Sequence, residues 1–224
     1  MEHRCQIKCV HPPWIKGSKP SASLANFEDF TDQLGTLLNN QKTKLVAWSL
    51  GGLIAINLAK KYSELIDQII FIASAPQFVA TKDFHIAIDP TWFDKFIADF
   101  KQNPRATFLK FITLQAKGDE YQMDTIRFMK NNFQADQLDH EQCLLGLELL
   151  RQQQLMHELN NLQCEMLFIH GDNDAVLSSK AARFAAASID CDFKVINRAG
   201  HAPHISHPEQ TTASIKDFLG YESF

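Results

Sequence analysis

Several features that would point to special protein classes are scarce in this sequence of 224 residues. Only 9 Gly and 8 Pro occur, which excludes collagen-like and low-complexity proteins. No stretch approaches the roughly 20 apolar residues of a membrane span, and residues 1–13 lack the apolar run of a secretory signal. The 5 Cys residues form no CxxC pair, so their spacing indicates neither a disulfide framework nor a zinc site. We therefore expect reduced thiols and a cytoplasmic protein.

The sequence also has no large excess of charge of either sign. With 22 Lys and Arg against 26 Asp and Glu, the net charge is −4, so nothing predicts binding to nucleic acid or to an anionic membrane. The hydrophobic fraction of 45% is sufficient for a buried core, and the length suits one domain with an insertion. We expect a globular monomer without a metal or other cofactor.

Apolar, β-branched runs predict five strands, at residues 6–10, 44–48, 68–73, 165–170 and 192–197. Helical patterns lie between most of them, which is typical of an α/β fold with a mostly parallel sheet. One predicted helix spans residues 23–40, with Ser23 as its N-cap and the pair Asn39–Asn40 as its stop. Another spans residues 208–219 and closes the chain.

The region between the third and fourth predicted strands has a different pattern. Amphipathic segments at residues 92–100, 105–115, 120–133 and 140–150 follow one another without a strand-like run. We interpret residues 76–159 as a helical cap inserted into an α/β core made of residues 1–75 and 160–224.

A candidate nucleophile, Ser49, stands between the buried strand at residues 44–48 and an apolar helix. This context matches the G-x-S-x-G turn, which exposes a serine hydroxyl on a strained bend; here Ala47 replaces the first Gly and Gly51 is the second. Small residues are expected at both positions because strand and helix approach closely. The N–H of Leu50, at the start of the helix, is expected to stabilise an oxyanion.

Two partners for the serine follow in the chain order of α/β-hydrolase triads, which is Ser, Asp, His. Asp172 and Asp174 both follow the strand at residues 165–170, and we choose Asp174 because apolar residues next to it would bury it. For the base we choose His201, in the first turn after the next strand, over His204 and His207. A serine hydroxyl needs such a base, and the base needs a carboxylate to hold its tautomer.

Taken with the segments WSLGGL at residues 48–53, LQ at 114–115, GLELL at 146–150 and APHISHP at 202–208, these residues resemble the α/β-hydrolase superfamily. More narrowly, the chain is similar to the pimeloyl-ACP methyl ester carboxylesterases of biotin synthesis. The resemblance implies Ser49 as nucleophile, Asp174 as orienting acid, His201 as base and Leu50 as an oxyanion donor. It also implies substrate contacts by six residues: Trp48, Phe111, Ile112, Thr113, Leu114 and Gln115.

The same resemblance implies an acyl carrier protein as partner, docked on basic residues of the cap, here Lys110 and Arg127. Met123 and Ala106 stand at places where a family enzyme carries Arg, while Arg105, Lys117 and Lys130 lie nearby. These charges equally suit a solvated helix face. The function implied is a serine carboxylesterase; the alternatives are a generalist short-chain esterase or thioesterase, and a truncated, weakly active domain that binds acyl groups.

One family element has no counterpart in the sequence. The family's strand ending in H-G-x-x, which supplies the second oxyanion N–H, would precede residues 6–13, yet the only His-Gly pair is His170-Gly171. In the family topology that strand lies between those matching residues 6–10 and 44–48. We therefore expect a truncated reading frame, a rearranged sheet or a strand supplied by a second chain.

Overall fold

A computed structural model describes Val10 and residues 27–221 of the chain, apart from the side chain of Asp29. The predicted strand at residues 6–10 and the N-cap Ser23 lie outside the described residues, except Val10, which is exposed and belongs to no strand. Cys5 and Cys9 also lie outside them. Cys143, Cys164 and Cys191 are free thiols.

The described strands form one parallel sheet in the order β1-β2-β3-β4. They are β1 (Thr43–Trp48), β2 (Ile66–Ile72), β3 (Glu165–Gly171) and β4 (Asp192–Ile196). Each coincides within one or two residues with a predicted strand, so the predicted α/β class with a parallel sheet is confirmed. In β2 the consecutive residues Ile69, Ile70 and Phe71 are all buried, because helices cover both faces of a parallel sheet.

Ten α-helices accompany these strands in the described part of the chain. In chain order they are α1 (Phe27–Thr36), α2 (Leu50–Lys61), α3 (Pro90–Gln102), α4 (Pro104–Gln115), α5 (Gln122–Asn132), α6 (His140–Gln152), α7 (Met156–Asn161), α8 (Ser179–Ser188), α9 (Pro203–Ser206) and α10 (Pro208–Leu219). The helices α3 to α7 all lie between β2 and β3, in the region interpreted as a cap. None of the helices in the described residues is long and apolar enough to cross a membrane.

Capping residues explain where the cap helices begin. The side chains of Asp89 and Asn103 accept hydrogen bonds from the backbone N–H groups of Trp92 and Ala106, and a proline follows each cap at the first helical position. Proline suits that position because its missing N–H has no partner there. The helices α3 and α4 therefore start one or two residues before the predicted segments.

The helix α1 ends at Thr36, four residues before the predicted stop. The N–H groups of Leu37 and Leu38 bond to carbonyls three residues back, which tightens the chain into a turn, and Asn39 and Asn40 both adopt φ of 52°. Asparagine tolerates this left-handed conformation better than most residues. The asparagine pair therefore forms the turn that follows the helix.

The outer edge of β1 has no strand partner among Val10 and residues 27–221. Val46 on this strand is 54% exposed, although its neighbour Ala47 is buried. This edge is where the expected gap in the sheet would lie.

Candidate active site

Ser49 occupies a strained turn between β1 and α2. Its backbone has φ 54° and ψ −123°, a conformation that costs a non-glycine residue free energy and persists only where neighbours enforce it. Its N–H donates to the carbonyl of Ile72 at 3.0 Å, and its own carbonyl accepts from Gly52 N–H at 2.9 Å and from the Ser74 hydroxyl at 2.8 Å. Bonds to α2 and to the end of β2 thus hold the turn.

The close approach expected at this turn occurs one residue later than the motif suggests. A Cβ on Gly51 would lie 3.8 Å from the Cβ of Ala47, an ordinary contact. A Cβ on Gly52 would overlap the hydroxyl of Ser74 and lie 2.8 Å from the Cβ of the same residue. Position 51 therefore has room for a Cβ, whereas Gly52 is the residue that packs most closely against the end of β2.

The structure brings Ser49, His201 and Asp174 into one hydrogen-bonded chain. His201 Nε2 lies 2.9 Å from Ser49 Oγ, and His201 Nδ1 lies 2.7 Å from Asp174 Oδ2. The side chains of His201 and Asp174 are fully buried. The indole Nε1–H of Trp48 donates to the backbone carbonyl of His201 at 2.9 Å, which links the loop that carries His201 to the end of β1.

The carboxylate of Asp174 accepts three hydrogen bonds and lies close to a fourth group, the ring of His170. Oδ1 accepts from the N–H groups of Val176 and Leu177 at 2.8 and 2.9 Å, and Oδ2 lies near both His201 Nδ1 and the Nε2 of His170, 2.9 Å away. Burial raises the pKa of Asp174, but the charge of His201 and the bonds from both histidines outweigh it, so the net pKa lies well below the usual value. The acid is therefore ionised at neutral pH.

His170 is a contributor that the sequence reasoning missed. It is the penultimate residue of β3, four residues before Asp174, and its fully buried Nε2 also lies 2.9 Å from the carbonyl of Leu177. That geometry requires Nε2 to carry the proton, because a carbonyl only accepts. The sequence signal was the His-Gly pair itself, at the point where a strand enters the loop that carries the acid.

The alternative candidates for the acid and the base lie outside this chain of hydrogen bonds. Asp172 is exposed, and its backbone N–H bonds to the carbonyl of Ile196. His204 packs edge-on against Trp48 at 4.8 Å, and burial, with a smaller effect of His201, lowers the pKa of His204 from 6.5 to about 4. His207 Nδ1 lies 2.8 Å from the hydroxyl of Ser206.

The residues expected to contact substrate are not brought to one surface. Phe111 and Leu114 line a groove of about 300 Å³ between α3 and α4, where the rings of Phe111 and Phe96 lie 5.6 Å apart. Ile112 is buried and Trp48 partly buried in one cluster with Ala202 of the histidine loop. The remaining two residues are Gln115, buried, and Thr113, exposed with its hydroxyl bonded to its own helix.

The candidate docking residues differ in their surroundings. Lys110 is exposed at the rim of the same groove and has no ion pair within the described residues. Arg127 is exposed on α5 and pairs with Asp124 at 2.8 Å. The oxyanion role of Leu50, the first residue of α2, and the docking role of both cations stay predictions.

The described thiols do not suit a nucleophile. Burial, with smaller effects of nearby carboxylates, raises the pKa of Cys143 and of Cys191 to about 12. A thiol is reactive only as the thiolate, which these two residues do not form at neutral pH. Ser49, unlike these thiols, lies beside a buried histidine that is itself bonded to a buried carboxylate.

Comparisons with known proteins agree with this geometry. Residues 6–208 match the α/β hydrolase fold family. The chain is 32% identical over 183 residues to the pimeloyl-[acyl-carrier protein] methyl ester esterase of Aromatoleum aromaticum. This alignment covers 77% of this chain and 72% of that protein. It is also 32% identical over 204 residues to the biotin biosynthesis bifunctional protein of Teredinibacter turnerae, covering 87% of this chain but only 36% of that protein.

Among solved structures, an esterase from Exiguobacterium antarcticum superposes with a TM-score of 0.80 at 18% identity, covering 92% of this chain and 78% of the other. At that identity the likeness shows the fold alone. Family match, relatives and fold agree: the chain belongs to the α/β-hydrolase family, as a hydrolase related to the pimeloyl-[acyl-carrier protein] methyl ester esterases.

Proposed function

We propose that the chain is a serine carboxylesterase that hydrolyses the methyl ester of a pimeloyl group carried on acyl carrier protein, a reaction of biotin synthesis. The single observation that carries the catalytic part is the chain of contacts from Ser49 Oγ through His201 to Asp174, at 2.9 and 2.7 Å. The names of the relatives supply the substrate.

In the proposed reaction, His201 Nε2 takes the hydroxyl proton of Ser49 while Oγ attacks the ester carbonyl. The resulting oxyanion faces the N–H of Leu50 at the start of α2, and Asp174 stabilises the imidazolium. Collapse of the tetrahedral intermediate expels methanol, which takes its proton from His201. A water molecule, deprotonated by the same histidine, then hydrolyses the acyl-enzyme to the free carboxylate and restores the hydroxyl of Ser49.

Carrier docking is proposed for the cap surface that includes Lys110 and Arg127. Lys110 borders the aromatic groove between α3 and α4, and its charge has no partner among the described residues. Within the described part of the chain, Arg127 pairs only with the exposed Asp124, and surface pairs of this kind contribute little, so its charge is available to an acidic protein.

The experiment compares two substrates, a short p-nitrophenyl ester and a methyl ester attached to acyl carrier protein. Ser49→Ala should lower kcat on both by about a millionfold and abolish labelling by a fluorophosphonate. Reversing the cap charges in Lys110→Glu with Arg127→Glu should raise KM for the carrier-bound ester about 5- to 10-fold, while the short ester is unaffected. Lys216→Glu, on exposed α10 outside the cap, is the matched control.

Added salt should imitate the charge reversal, because screening acts over about 10 Å at 0.1 M. Labelling that persists in Ser49→Ala would contradict the assignment of the nucleophile. Equal loss on both substrates in the charge-reversed protein would mean that the cations support the fold. If the wild-type protein hydrolyses the short ester and leaves the carrier-bound ester intact, the activity is that of a generalist esterase.

A further inference from the structure

The turn between α4 and α5, residues 115–120, contacts both loops that carry the proposed acid and base. We call these residues the cap turn. The N–H of His201 donates to the carbonyl of Gln115 at 2.8 Å, and the N–H of Glu120 donates to the carbonyl of Arg198 at 2.8 Å. On the acid loop, the side-chain amide of Asn173 donates to the carbonyl of Gly118 at 2.9 Å.

The cap turn also contacts the loop that carries His201 through the side chain of Asp119. Its side chain is buried, with the residue only 6% exposed, and Oδ2 accepts from the N–H of Gly200 at 2.7 Å. Oδ1 accepts from the N–H of Tyr121 at 2.8 Å. Hydrogen bonds to an ionised acceptor are shorter and about twice as strong as neutral ones.

Asp119 has no cation next to it. Within the described residues no Lys, Arg or His forms an ion pair with Asp119, so only backbone N–H groups compensate its burial. A buried charge is costly unless hydrogen bonds satisfy it, and an uncharged residue would avoid that cost. The carboxylate therefore holds two peptide groups in place, one of them the Ala199–Gly200 peptide in the loop that leads to His201.

The histidine loop also lies too close to the cap turn for a side chain at position 200. A Cβ on Gly200 would lie 2.7 Å from the carbonyl oxygen of Gln115 and 3.5 Å from Asp119 Oδ2. Arg198 adds an ion pair with Glu120 at 2.8 Å. Three successive contacts, at residues 198, 200 and 201, thus fasten the loop to the cap.

We propose that the cap turn is a clamp that positions the base, with Asp119 as its principal positioning residue. Asp119 does not touch the reacting atoms; it acts through the Gly200 peptide, which sets the position of the His201 ring relative to Ser49 and Asp174. This inference rests on the proposed function, since it assigns a role only if His201 is the base.

The test uses Asp119→Asn in the full chain, with the short p-nitrophenyl ester as substrate. Asparagine has one oxygen acceptor, and its NH₂ group would face one of the two peptide N–H groups that Asp119 now accepts. We expect kcat to fall about 10- to 100-fold, with KM changed less than twofold, because a displaced base impairs proton transfer and leaves binding intact.

A second measurement separates positioning from a general loss of structure. In the wild-type protein, the proton between His201 Nδ1 and Asp174 should give a proton NMR signal far downfield of the amide region. Asp119→Asn should weaken or shift that signal while the circular dichroism spectrum stays that of the folded protein. Asp124→Asn is the matched control, because it removes an exposed carboxylate one turn away and should change neither kcat nor the signal.

If Asp119→Asn does not fold, Asn173→Ala replaces it, since Asn173 is exposed and we expect the truncated protein to fold. It should lower kcat at least threefold with KM unchanged. A folded Asp119→Asn with wild-type kcat and an unchanged signal would overturn the proposal, as would wild-type kcat in Asn173→Ala or an effect confined to KM. A Ser49→Ala protein as active as the wild type would instead refute the proposed function.

Discussion

At the residue scale, the loop after β3 carries two aspartates that differ in burial and in hydrogen bonding. The side chain of Asp174 is buried, accepts three hydrogen bonds and contacts two histidines, whereas Asp172 is exposed and forms a hydrogen bond through its backbone N–H. The carboxylate of Asp174, held in a fixed orientation, lies 2.7 Å from Nδ1 of His201 and so favours the tautomer that leaves Nε2 free to accept a proton. This difference makes the acid assignment testable with two isosteric substitutions.

Asp174→Asn should lower kcat by about 10⁴, while Asp172→Asn should change it less than about threefold. An amide at position 174 removes the charge that stabilises the imidazolium, and it presents an N–H donor to at least one of the donors that Asp174 now satisfies. Steady-state kinetics on the short ester at pH 8 measures both variants. The reverse ranking would move the acid to Asp172.

At the scale of elements, the position of Ser49 depends on how closely α2 packs against the end of β2. Ser74, two residues after β2, donates to the carbonyl of Ser49 at 2.8 Å and fills the space that a side chain at position 52 would need. A Cβ at position 51 would make one ordinary contact, with the Cβ of Ala47. The two adjacent glycines of α2 are therefore not equivalent.

Gly52→Ala should destabilise the protein by about 1–3 kcal/mol, because the new Cβ overlaps Ser74 and displaces the bond to Ser49. It should also lower kcat, since the nucleophile moves with the turn. Gly51→Ala is the matched control and should be neutral or stabilising by as much as about 1 kcal/mol, as alanine favours helices over glycine. Urea unfolding of both variants measures the difference; similar stabilities would show that Ser74 yields easily.

At the scale of the whole molecule, core and cap meet at the site, and the buried His204 there gives stability a pH dependence. His204 lies beside Trp48 and His201, and its pKa is lowered from 6.5 to about 4 in the folded protein. Because the unfolded chain binds a proton at higher pH than the folded one, its contribution is fully present above about pH 6.5. It is lost as the pH falls towards 4.

His204→Phe should therefore flatten the decline of the unfolding free energy between pH 7 and pH 4.5. The shift corresponds to at most about 3 kcal/mol, and the wild-type protein should lose about 1–3 kcal/mol more than the variant over this range. Urea titrations at both pH values measure it. His85→Phe, at an exposed histidine, should decline as the wild type does; a parallel decline in His204→Phe would mean that His204 titrates normally in the folded protein.

The sequence by itself determined the elements and the chemistry that depend on local order. Four predicted strands, the closing helix α10 and the α/β class follow from the spacing of apolar residues, because burial on one or both faces imposes that spacing. The order Ser49, Asp174, His201 was likewise visible, since each residue lies in the turn or loop that follows a strand. Helix starts were displaced by a residue or two, because caps such as Asp89 lie outside the apolar pattern.

Only the tertiary structure decided which residues support the site. His170 reaches Asp174 because the loop after β3 folds back on its own strand, and Asp119 reaches Gly200 across 81 residues of sequence. The need for glycine at position 52 arises from Ser74, which lies just after β2 and far from α2 in the sequence. None of these contacts leaves a periodic signal, because a single side chain meets a single partner brought near by the packing of cap, sheet and helices.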